Sequence, residues 1–89
     1  MTELSPDWTP RLGRGARLHR DAVRGVDLLL VPERAVTLNP TASAVLGMCD
    51  GTRTVADISE ALSVRYEGPE LRADLDAFLA AARRERWLR

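Results

Sequence analysis

Eighty-nine residues, 45% of them apolar, with a formal net charge of zero, describe one small folded domain with little room for a catalytic cleft. No apolar run approaches the ~18 residues that span a bilayer, and the N-terminus lacks the basic flank and apolar core of a secretion signal. Thirteen basic residues, all arginine, offset thirteen acids, so the chain has no broad electrostatic claim on nucleic acid.

Residues 1–15 carry the turn formers Ser5, Pro6 and Pro10 and close on Gly13-Arg14-Gly15, which predicts an irregular arm. Trp8 is its anchor, packing back on the domain or meeting a partner. A single domain is expected over residues 16–89. Ala16 to Asp21 alternates weakly and reads as a first strand, joined through Arg24-Gly25 to the apolar run Val26 to Val31. Pro32-Glu33 turns that run back into Arg34 to Leu38. Counted along the chain, Leu29, Val31, Ala35 and Thr37 have the opposite parity from Val26, Leu28, Leu30, Val36 and Leu38, so both sheet faces carry apolar groups. One face is left for a partner or for the Trp8 arm. On this count Leu29→Asp spares peptide binding.

The switch to helix falls at Asn39-Pro40. Proline holds its predecessor extended, asparagine is a good N-cap, and proline is preset for the first helical position. The first helix is expected from Pro40 to Cys49, with Ala42, Val45, Leu46 and Cys49 inward and a left-handed cap at Gly51. Thr54 caps a second helix, Asp57 completes a capping-box-like pair, and Val55, Ile58, Ala61 and Leu62 form its stripe. Gly68-Pro69 ends it. A third helix starts at Pro69 or Glu70 and runs to about Arg84, with Leu71, Leu75, Phe78, Leu79 and Ala82 on one face and an Arg72–Asp76 pair across one turn. Trp87 and Leu88 fold back to close the core. The expected fold is α+β and winged-helix-like: a three-stranded antiparallel sheet followed by a three-helix bundle.

Catalytic chemistry is thinly supplied. His19 is the only histidine and Cys49 the only cysteine, which defines neither a nucleophile–base pair nor a zinc site. Cys49 on an inner stripe reads as an inert small hydrophobe, and a chain that cannot form an internal disulfide fits the cytoplasm. Asp74 and Asp76 sit on a solvated flank of the third helix. A DNA-binding helix-turn-helix is disfavoured because Arg72 there faces Glu70, Asp74 and Asp76. A small dimerisation module is the other alternative.

The free edge of the last strand is the better candidate. A guest peptide can pair with it by β-strand addition while its side chains enter the groove beside the third helix. Across a two-residue turn, Arg34, Val36 and Leu38 direct their amides inward, leaving those of Ala35 and Thr37 for the guest. About four new hydrogen bonds at about 0.5–1.5 kcal/mol each fall short of the roughly 8 kcal/mol of micromolar binding, so the groove must add apolar anchors. The residues expected to bind peptide are Arg34, Ala35, Val36, Thr37 and Leu38 with Leu71, Asp74, Leu75 and Phe78.

The elements Pro32-Glu33-Arg34, Leu38-Asn39-Pro40-Thr41-Ala42, Cys49-Asp50-Gly51 and Thr54-Val55 with Ile58, in this order, resemble the PqqD family of pyrroloquinoline quinone (PQQ) biosynthesis. Pro10-Arg11-Leu12, Arg17-Leu18, Asp21 and the tail through Leu88 extend the resemblance over nearly the whole chain. The resemblance implies a non-catalytic peptide chaperone with the fold of a precursor-peptide recognition element. It would bind the precursor PqqA along the third strand and third helix and present it to PqqE, a radical S-adenosylmethionine enzyme. It would hold no cofactor itself. A monomer is expected, with strand exchange between two copies left open.

Overall fold

Val31 stands opposite Arg34 across the two-residue turn Pro32-Glu33, and this closure sets the register of the sheet. The computed structural model describes residues 4–66 and 71–89. Its elements are β1 (Arg17–Asp21), β2 (Val26–Val31), β3 (Arg34–Leu38), α1 (Pro40–Gly47), α2 (Val55–Ser63) and α3 (Leu71–Arg84). Both strand pairings are antiparallel and the order is β1-β2-β3, so β2 is central and β3 lies at an edge. Three antiparallel strands followed by three helices is the expected α+β arrangement. The expected Arg24-Gly25 turn is the second half of a loop over residues 22–25, in which the Gly25 amide, at φ +70°, donates to the Asp21 carbonyl at 2.8 Å.

The register corrects the expected sheet faces. Directly opposite residues share a face, and Leu29 pairs with Val36 while Asp27 pairs with Leu38. A two-residue loop therefore puts odd positions of β2 with even positions of β3. Leu29, Val31, Val36 and Leu38 form the face under the helices, with Leu29 fully buried. Val26, Leu28 and Leu30 share the outer face with Arg17, His19, Ala35 and Thr37. Leu29 is thus a core residue, and Leu29→Asp does not test the outer face as the parity count supposed.

Local signals place the helices. The Asn39 side chain accepts the amide of Ala42 at 2.7 Å and Pro40 occupies the first turn of α1. This helix ends at Gly47, short of the expected Cys49. Its last turn tightens, with Met48 and Cys49 donating to the carbonyls of Val45 and Leu46, three residues back. Gly51, at φ +84°, serves the turn beyond rather than the helix end, and its amide reaches the Pro10 carbonyl at 3.0 Å. Thr54 and Asp57 form the full reciprocal capping box of α2. Val55, Ile58 and Leu62 are buried there, but Ala61 is exposed, one residue and so about 100° off the stripe. The expected stop at Gly68-Pro69 and start at Pro69 or Glu70 lie outside the described residues. Arg72 and Asp76 pair at 3.0 Å on α3, as expected.

Among its described residues the arm makes its long-range backbone hydrogen bonds to partners other than β3. Arg11 exchanges backbone hydrogen bonds with Arg89, and Gly13 donates to the Trp87 carbonyl at 2.7 Å. Trp8 presents its carbonyl to the Val55 amide at 2.9 Å and carries the Arg83 guanidinium over its ring at 4.7 Å. The chain returns to meet the arm because α3 ends in a Schellman turn: Trp87 donates to Ala82, Arg86 donates to Arg83, and Arg86 takes φ 65°. Leu88 is thereby buried, and Trp87 packs partly against the core.

Candidate functional site

The site begins with what β3 leaves unpaired. Hydrogen-bonded and non-hydrogen-bonded pairs alternate along an antiparallel ladder, and the residues that close a two-residue hairpin exchange hydrogen bonds. Val31 and Arg34 are that pair, so Arg34, Val36 and Leu38 direct their backbone groups to β2, while those of Ala35 and Thr37 point to the open side. The edge is short and is flanked by α3. At its first residue Arg34 meets Glu85, just past α3, at 3.8 Å. At its far end Asn39 shares a groove with Leu71, Leu75 and Phe78 from the first half of the same helix. Strand and helix therefore run side by side in opposite directions.

That groove, of about 240 Å³, lies among Tyr66, Leu71, Asp74 and Phe78, with Asn39, Thr41 and Ala42 opposite and Val45, Leu62 and Leu75 at its floor. Its walls are mostly apolar. All four α3 residues expected to bind peptide line it, which puts them together. The five β3 residues do not line it; they form the edge that leads to it. Leu38 is buried, so its side chain belongs to the core and only its neighbours can meet a guest directly. Leu75 is likewise buried and shows the groove only an edge.

A second, more polar hollow of about 340 Å³ lies on the other side of α1, lined by Arg20, Asp27, Ser43 and Arg65 among others. Asp27 accepts from the Ser43 hydroxyl and, at 3.1 Å, from Arg20, and these bonds hold its carboxyl below the usual carboxylate range. Cys49 is buried and donates to the Val45 carbonyl at 3.2 Å; burial, then the charge of Asp50, pushes its thiol up to about 12. A thiol so placed is a poor nucleophile. His19 is exposed on the outer sheet face, and among the described residues no group of three or more His, Cys, Asp or Glu is placed to hold a metal ion.

The family model for coenzyme PQQ synthesis protein D (PqqD) matches residues 28–88, the span from β2 to the buried Leu88. The chain belongs to the PqqD family. It is 37% identical, over 99% of its length and 97% of the relative's, to a PqqA binding protein of Azotobacter vinelandii. It is 39% identical to part of the bifunctional coenzyme PQQ synthesis protein C/D of Methylorubrum extorquens, covering 98% of this chain and 24% of that larger protein. Its fold superposes with a TM-score of 0.77, at 39% identity and over 99% of this chain and 96% of the other, on a solution structure from Methylobacterium extorquens. That structure is the PqqD part of PqqCD, described as a functional, stand-alone recognition element for ribosomally synthesized, post-translationally modified peptides.

In this PqqD-family chain the sequence reading missed Tyr66 and the part played by Asn39 and Thr41 in the groove. Tyr66 lies four residues past Leu62, on the continuation of the α2 stripe, and its amide donates to the Leu62 carbonyl at 2.8 Å. Helical spacing extended one turn beyond Ser63 was the available signal.

Proposed function

We propose that this PqqD-family protein binds the precursor peptide PqqA by adding it as a fourth strand along β3, and presents it to the radical S-adenosylmethionine enzyme PqqE. The observation that carries this reading is an edge strand that no described residue pairs with on its outer side, beside an apolar groove, while the arm spends its backbone hydrogen bonds on Arg89, Trp87, Gly51 and the start of α2. The names of the relatives and the recognition-element description of the similar structure support the same reading.

The protein makes and breaks no covalent bond in this account. It is a cytoplasmic monomer that fixes the pose of a flexible substrate and raises its local concentration at the enzyme, replacing a bimolecular search with a near-intramolecular one. Backbone pairing supplies about 0.5–1.5 kcal/mol per hydrogen bond, and each apolar side chain seated in the groove adds about 1.5–3 kcal/mol, against the ordering cost of the peptide. Neither source alone reaches micromolar affinity.

Thr37→Pro tests the mechanism. Proline is tolerated at an edge whose amide faces outward, so the fold survives while one donor to the guest is lost. Titration with PqqA, followed by amide shifts, is expected to perturb Ala35 to Leu38 and α3 in the parent and to show about two- to tenfold weaker binding by the variant. Unchanged affinity, or shifts confined to the outer face, would overturn strand addition.

A further inference from the structure

The open edge of β3 stops abruptly. The Asn39 carbonyl is taken by the Ser43 amide at 2.9 Å, and Pro40 has no amide to offer. A strand laid along β3 runs out of backbone partners there, and what it meets next is the groove between α1 and α3. With a volume of about 240 Å³ the groove is smaller than the usual small-molecule pocket and suits one or two side chains. Its apolar wall is Tyr66, Leu71 and Phe78. Among the described residues its one charged lining residue is Asp74, which is exposed and has none of their cations within ion-pair distance. The other described acid on α3, Asp76, is already paired with Arg72 at 3.0 Å.

Resting on the strand-addition reading above, we propose that this groove reads the guest sequence. It takes a bulky aliphatic or aromatic side chain against Leu71 and Phe78, accompanied within a residue or two by a lysine or arginine that meets Asp74. Pairing along β3 is blind to sequence, because it uses only main-chain groups, so discrimination has to come from the place where side chains are held. An acid beside an apolar wall acts in both directions. It attracts a cation on the guest and repels a guest acid at the same position, and the second effect excludes wrong peptides.

The test is selection of random peptides displayed against the full chain. The parent is expected to enrich a large apolar residue next to Lys or Arg, D74N to keep the apolar residue and lose the basic one, and D74K to replace it with Asp or Glu. For one selected peptide, changing its Lys or Arg to Glu should weaken binding to the parent about two- to fivefold and restore it on D74K, with the difference shrinking at high salt. An identical consensus from parent and D74K overturns the inference. The two readings fail separately. Peptides that bind T37P as tightly as the parent remove strand addition, whereas peptides that need the Thr37 amide and ignore Asp74 remove only the sequence preference.

Discussion

Leu29 stands directly opposite Val36, on the face of the sheet that the helices cover, and Leu28 beside it faces out between His19 and Thr37. Two adjacent leucines of one strand thus answer to different forces. Leu29→Asp places a charge in a fully buried site without a partner, a cost of several kcal/mol in a domain whose whole stability is of order 5–15 kcal/mol. It is expected to unfold the protein, seen as loss of amide dispersion. Leu28→Asp is expected to keep the fold and peptide affinity, and a folded Leu29→Asp would mean the register is wrong.

Gly13 is fixed by the end of α3. A Cβ there would lie 2.2 Å from the Arg86 carbonyl oxygen, so Gly13→Ala must push two backbone segments apart. A loss of about 1–3 kcal/mol is expected, each kcal/mol lowering Tm by about 4–8 °C. Arg86, held at φ 65°, is the reverse case: Arg86→Gly relieves a left-handed backbone and should gain up to about 1 kcal/mol. Thermal unfolding of the two variants should move in opposite directions.

Asp27 makes stability depend on pH. Its folded-state pKa is lowered by the Ser43 and Arg20 hydrogen bonds, so the folded state binds fewer protons than the unfolded one between the two values. The stabilisation is therefore complete above the unfolded carboxylate pKa of about 4 and is lost as pH falls through the lower folded value. Asp27→Asn should flatten the acid limb of a stability-versus-pH curve and leave the neutral limb with the same slope. An unchanged acid limb would show that the Ser43 bond does not persist in solution.

Cys49 should be silent while the domain is folded. With its thiol buried and pushed up to about 12, thiol reagents at neutral pH are expected to label it only at the rate of unfolding, and fully in denaturant. Rapid labelling of the native protein would place it on an opening surface.

Short-range signals made much of this fold legible in the sequence. Asn39-Pro40, the Thr54–Asp57 box and the Pro32-Glu33 turn each act through atoms two or three residues apart, so the residues alone specify them. The spacing of Leu71, Leu75 and Phe78 put one face of α3 forward in the same way, and these three line one groove together with Asp74, which the sequence placed on a solvated flank. The early end of α1 at Gly47 and the exposure of Ala61 escaped, because the arm bonded to Gly51 and the width of the buried stripe depend on distant neighbours.

What only the tertiary structure decided is which way the sheet faces and where the arm goes. The chain's alternation gives two sets of side chains, but the pairing of Leu29 with Val36 chooses the set that the helices bury. Nothing local told Arg11 and Gly13 to seek Arg89 and Trp87 rather than β3; that choice waits for the Schellman turn to bring the two ends of the chain together. Among the described residues the edge of β3 has no strand beside it but β2, because the arm's backbone groups are already spent on that distant contact.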